Sequence, residues 1–317
     1  MARKLGMTAA IALVAAAAML AVPAQAGTGR PPSPHASSEL APRIVAGAAH
    51  GLVRPHRAKA PTASARRSPL MTNHGGVIMT KSLVKAIFWG TTWNPLSVDD
   101  KIAGIDSFYG GFGGSNYAKT NTEYTGNNGP VGPDSTYQGH VVDNSAASGG
   151  GNTSAILAEV ANQVKLGNIV IDETEGNNYV PVYTDLPRGN AGYCAWHSAG
   201  TINGHRVQFA FFWKLDSDPG CDPQDATTGH SKGLAALGNV SAHELSEAMT
   251  DPASPGAWYD GSGAENGDKC AWTFGAASVP FKNGTSRKVQ GEWSNKAYTA
   301  GTGYPNSSGQ KGCLGGL

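Results

Sequence analysis

The chain predicts an α+β fold in a single domain, with a mixed or antiparallel sheet packed by a few helices, loop-rich and disulfide-linked. Three observations carry this. NGHRVQFAFFWKL at 203–215 is the strongest strand candidate, whereas TSAILAEVANQVK at 153–165 and KGLAALGNVSAHELSEAMT at 232–250 read as helices. Glycine, at 43 of 317 residues, is near twice its usual share of about 7%, which predicts long loops. The four cysteines form an even set, which in an oxidising compartment favours two disulfides.

The compartment is read from residues 1–26. Arg3 and Lys4 precede the apolar stretch TAAIALVAAAAMLAV, and Ala24-Gln25-Ala26 offers a small-residue cleavage site. This is the pattern of a secretory signal peptide, and the run is short for a core of roughly 30 Å. The mature protein is therefore expected to be secreted, without a membrane span, and a monomer. Residues 27–71 are rich in Pro, Ala and Arg with the single acid Glu39. Such a segment buries too little apolar surface to offset its ordering entropy, and it reads as a disordered spacer or as a propeptide removed near Arg66-Arg67.

The globular part is expected over 72–317. GGVIM at 75–79 and SLVKAIFWG at 82–90 read as strands, and 97–109 as a helix with Ser97 as its N-cap. The helix at 153–165 ends before Gly167, and NIVIDE at 168–173 is the next strand candidate. A polar loop surrounds Cys221, and Pro252 stops the helix at 232–250 because the residue before proline is pushed out of the α region. The last 65 or so residues are loop and short strand. Four cysteines allow three pairings, and the local, non-crossing pairs Cys194–Cys221 and Cys270–Cys313 are preferred. A net charge of +1 and 15% charged residues, against a usual 25% or so, argue against nucleic acid as a partner.

Chemistry concentrates in NVSAHELSEAMTDP at 239–252. His243 and Glu247 are four apart and share one helix face, where one divalent ion can reach both. Zinc takes His nitrogen and carboxylate oxygen at about 2.0–2.2 Å. Glu244 stands where the general base of a zinc peptidase stands, although the second histidine of H-E-x-x-H is here a glutamate. The following segment, PASPGAWYDGSGAENGDKCAW, returns Asp260, Glu265 and Asp268 within a short loop. Glu265 is the preferred third ligand, with Asp268 or Asp251 as substitutes. The same carboxylates suit calcium, which takes several oxygens, or are ordinary turn residues beside glycine. His197, in GYCAWHSAG next to Cys194, is a further metal candidate, although a hydrogen-bonded structural role is the commoner fate of such a histidine.

One rival motif does not hold. Gly229-His230-Ser231-Lys232-Gly233 matches G-x-S-x-G, but no strand precedes it and no acid lies between Ser231 and His243, the last histidine. Ser231 reads instead as a helix cap. Trp89, Trp93, Trp213 and Trp258 are candidates for a sugar-binding face, against the usual fate of burial.

GGVIMTKSLVKAIFWGTTW, GYCAWHSAG, GHSKGLAALGNVSAHELSEAMTDP and AWYDGSGAENGDKCAWTFG together resemble the EXORDIUM-like, phosphate-induced protein family, most of all its microbial branch. The resemblance spans about residue 75 to the final cysteine. It implies a secreted, cell-wall-associated protein and groups His243, Glu247, Glu265 and Asp268 as one pattern, while plant members lack the H-E-x-x-E acids. The function expected is a zincin-like, zinc-dependent hydrolase with Glu244 as its base, a peptidase acting on extracellular protein or cell wall. The alternative is a non-catalytic cell-wall or carbohydrate-associated protein with structural calcium or no metal.

Overall fold

The computed structural model describes residues 41–56, 68–93, 98, 100–172, 177–252 and 256–317. The expected signal peptide, most of the expected spacer, the dibasic pair and Ser97 lie outside these residues.

Seven strands form the main sheet: β1 (Ile44–Ala46), β2 (His50–Val53), β3 (Ser82–Trp89), β4 (Ser135–Asp143), β5 (Asn178–Pro187), β6 (Ala195–Ile202) and β7 (His205–Lys214). Their order is β1-β6-β7-β5-β3-β4, with β2 continuing along the edge of β6 beyond β1. The β7–β5, β5–β3 and β3–β4 pairs are parallel, whereas β6 lies antiparallel to β7 and to both N-terminal strands. Helix α1 (Lys101–Phe112) links β3 to β4, and α2 (Thr153–Lys165) links β4 to β5, as parallel crossovers require. The expected mixed sheet is present, but its centre is α/β, with connecting helices on both faces rather than segregated from the sheet.

Alternation along β7 shows how the layers are sorted. Val207, Phe209 and Phe211 join Ile156, Leu157 and Val160 of α2 in one core. Ala210 and Phe212 face the other way, into a second core with Ile105 and Phe108 of α1 and Leu237, Val240 and Leu245 of α3 (Lys232–Thr250). Trp89 and Trp93 are buried in these cores, which removes them from any sugar-binding platform. Among the described residues, no helix is long and apolar enough to cross a membrane.

Three expectations are corrected. GGVIM is not a strand, since its buried members Ile78 and Met79 pack as an irregular segment whose Met79 N–H donates to Met249 O. The described part of NIVIDE is also irregular, and the buried strand is the later β5. Residues 41–56, read as spacer from composition, add β1 and β2 to the sheet. Main-chain pairing needs no apolar sequence, which is why composition did not reveal it. Both disulfides, Cys194–Cys221 and Cys270–Cys313, form as preferred.

One buried acid on the α2 side has a pH signature. Glu159 is 6% exposed and accepts from Gln163 Nε2 at 2.6 Å, while the same amide donates to Asp143 at 2.8 Å. Burial, reinforced by the Asp143 charge, pushes Glu159 up to about 7 from 4.5. An acid raised on folding binds more protons folded than unfolded, so stability falls as pH rises from about 4.5 through 7. Glu159→Gln escapes that loss. Its melting temperature relative to the parent is expected to climb over this window and plateau above it, worth about 1–2 kcal/mol after solvent screening. A flat difference from pH 4 to 8 would show that Glu159 titrates normally.

Candidate metal centre

Helix α3 brings the motif residues to one place, and it does so in the interior. Ser231 caps it by accepting from Leu234 N at 3.1 Å, and its hydroxyl donates to Asp100. The serine thus serves the helix end, as its sequence setting indicated. Every residue of α3 after Lys232 is buried, because the sheet covers one side and the C-terminal loops the other. His243, Glu244 and Glu247 are each 0% exposed, which excludes a solvated helix face.

Three other segments complete the cluster. On β6, Ala195 and His197 point to the α3 side while Trp196 points to the α2 side. His197 Nδ1 lies 3.2 Å from Glu244 Oε2 and 3.6 Å from Glu247 Oε2, and its Nε2 lies 3.7 Å from Glu265 Oε2. The short helix α4 (Asn266–Lys269) starts at Glu265 and carries Asp268. Glu247 Oε1 accepts from Asp268 N at 2.9 Å, so the α3 glutamate also holds the α4 N-terminus. His243 Nε2 lies 3.0 Å from Glu247 Oε1 and 3.9 Å from Asp268 Oδ1. A notional Cβ on Gly267 would come within 2.9 Å of the His243 ring, so only glycine lets α4 approach this closely.

Two ligand sets result, His197–Glu247–Glu265 and His243–Glu247–Asp268, and Glu247 belongs to both. Within each set the ligand atoms lie within 4.8 Å of one another. A tetrahedral zinc site has ligand–ligand edges of about 3.4 Å, so the present spacings of 3.0–3.9 Å bracket those of a metal site. His197 Nε2, Glu244 Oε1, Glu247 Oε2 and Glu265 Oε2 are buried without a hydrogen-bond partner, and His243 Nε2 makes no well-directed bond although Glu247 Oε1 stands 3.0 Å away. Buried polar atoms are nearly always paired. Such ligand-type atoms facing one another are the arrangement a cation would satisfy.

Electrostatics point the same way. Two ionised carboxylates within 4.8 Å of each other repel by at least about 3.5 kcal/mol at an effective dielectric of 20. Burial, with Glu247 and Asp268 nearby, raises Glu244 well above the usual carboxyl range. Burial and the Glu247 charge do the same to Glu265. Asp268 is lifted to about 7 by the same two causes, although 30% of its side chain is in solvent, which screens the effect more than at Glu244. The histidines diverge. Burial and the charges of His50 and His243 drive His197 far down, leaving a neutral ring. Burial would also lower His243, but Glu247, Asp268 and Glu292 outweigh it and lift it to about 9.

The remaining sequence candidates fall into other roles. Asp251 accepts from Ala257 N at 2.9 Å at the end of α3 and stands outside both ligand sets. Asp260 is a turn residue, bonded to Lys269 at 2.7 Å and to the Ser262 amide at 2.8 Å. With Asp260 so engaged, the cluster's donors are the two imidazoles and the carboxylates of Glu247, Glu265 and Asp268. Three members escaped sequence reasoning. Gln290, whose side-chain amide lies 2.9 Å from His243 Nδ1, and Glu292, which begins the short strand Glu292–Trp293 and accepts from Tyr117 OH at 2.6 Å, come from far along the chain with no motif around them. His50 sits in the supposed spacer, with its ring stacked 5.9 Å from that of His197.

The chain matches no family model, no curated protein and no solved structure.

Proposed function

We propose that the protein is a secreted, zincin-like metal-dependent hydrolase, with zinc as its metal and peptide bonds of extracellular protein or cell wall as its substrates. The observation that carries this is the set of five buried ligand atoms, four of them with no close polar partner in hydrogen-bonding geometry, converging from α3, β6 and the α4 segment. Glu247 is the common ligand, joined by His197 with Glu265 or by His243 with Asp268. Bound zinc supplies a Lewis acid that polarises a carbonyl. Glu244 belongs to neither ligand set and lies beside His197, the position of a general base that takes a proton from water. The likeness to the EXORDIUM-like family supports export and association with the wall.

Metal content by mass spectrometry tests the reading. About one zinc per chain is expected in the purified protein and none in Glu247→Ala, because the shared ligand is gone. His197→Ala and His243→Ala then identify the working set, since only the variant that removes a true ligand loses the ion. A wild-type protein that takes up no zinc when supplied with it would refute the proposal.

A second reading has its own support. All five of these residues are at most 3% exposed, and β2 lies over them, which is how a closed structural metal site is built. Retained binding to wall polysaccharide after chelation, without proteolysis, would favour that non-catalytic role.

A further inference from the structure

The strand that closes the cluster is attached by a continuous run of main-chain bonds along β6 as well as by side-chain packing. β1 pairs Ile44 with Ile202 and Ala46 with Gly200, and β2 pairs His50 with His197 and Val53 with Ala195, all antiparallel to the edge of β6. Between them Gly47 N donates to Ala199 O at 2.8 Å, and Ser198 Oγ donates to Ala48 O at 2.7 Å. Beyond β2, Cys194 N donates to Val53 O at 2.6 Å and Trp272 Nε1 to Arg54 O at 2.6 Å. Its side chains add to this: Val53 is in the core, Ile44, Ala46 and Ala49 pack against the α2-side core and His50 stacks on His197, while Val45 is 58% exposed. This is β-strand addition, in which main-chain bonds hold an extended peptide and local pockets select its side chains.

Selection is visible at one position. Gly51 has φ +54°, and a notional Cβ there would fall 1.9 Å from Glu247 Oε2 and 2.6 Å from His197 Nδ1. The peptide chain therefore passes directly over the shared ligand, at a distance only glycine permits. We infer that the β6 edge beside Glu247 and His197 is a binding groove for an extended polypeptide with glycine facing the cluster, and that residues 44–54 fill it as the chain's own occupant. This rests on the hydrolase reading for its consequence, namely that peptide substrates enter by the same edge once the occupant has left. The strand-binding groove itself does not depend on that reading.

The test uses the full chain carrying a site-specific protease sequence within residues 57–67. After cutting, the protein is incubated with an excess of fluorescent synthetic peptide spanning 43–56, with zinc and with chelator. Saturable exchange is expected, followed by anisotropy and by mass spectrometry of the displaced segment. The Gly51→Val peptide is expected to bind about 100-fold more weakly, from steric overlap and a disfavoured φ. The inference fails if the cut segment never exchanges, if the protein unfolds when it leaves, or if the valine peptide binds equally well. Because exchange is read without turnover, a protein that exchanges peptide but holds no zinc would sink the hydrolase reading and leave the groove standing.

Discussion

Glu244→Gln, in protein cut and cleared of its N-terminal strand, is expected to lower hydrolysis of a fluorogenic casein by 10²–10⁴-fold or so while leaving metal content unchanged. The substitution keeps the shape of the side chain and its place beside His197 but removes the ability to accept a proton. Glu244 Oε1 is buried without a hydrogen-bond partner, while its Oε2 lies 3.2 Å from His197 Nδ1, so one oxygen is left for a proton. Its burial disfavours the ionised form, and a cation at Glu247 is what would restore it. Loss of zinc together with activity would make Glu244 a ligand, and full activity would place the base elsewhere.

Cys270→Ser with Cys313→Ser is expected to destabilise by about 4 kcal/mol, because this bridge closes 43 residues of chain. A fall of about 10 °C in melting temperature should follow. Cys270 immediately follows α4, whose start positions Glu265 and Asp268. Zinc affinity is therefore expected to fall along with stability, read by titration against a competing chelator. The Cys194–Cys221 bridge closes 27 residues, and its removal is expected to cost a little less. Unchanged melting in the Cys270–Cys313 variant would mean that the C-terminal loops are held by packing alone.

What the sequence revealed was what local chemistry specifies. The bounds of α3 were readable because Ser231 and Pro252 mark them, and α2 because a strong periodicity runs up to Gly167; the structure adds Asn152 as its N-cap. His243 and Glu247 were legible as an i,i+4 pair, and Glu265 with Asp268 as a nearby acidic loop. Strand β5 was missed because Pro181 interrupts its apolar run, and β6 because its glycine and serine read as loop. Gln290 and Glu292 were invisible for another reason: they reach the cluster only through tertiary folding, across more than 40 residues of chain. The N-terminal strands pair through backbone atoms, which are the same in every sequence, and their few apolar residues, Ile44, Ala46 and Val53, are too scattered in a Pro/Ala/Arg-rich stretch to stand out.

The covering of β6 also bears on solubility. The sheet has two edges, and each is protected differently. At β4 the register shifts against β3, and Gly139, at φ +81°, bends the strand out of line, a device that discourages pairing with another molecule. The other edge is formed by β1 and β2, which pair along β6 and, at three and four residues, are short edge strands that offer little template to another molecule. Once these strands depart, the N–H and C=O groups along Ala195–Ile202 become a template for any extended chain, including the same edge of a second molecule. Release of the N-terminal segment would then turn a self-capped protein into one prone to pair edge to edge, and aggregation after cleavage would depend steeply on concentration.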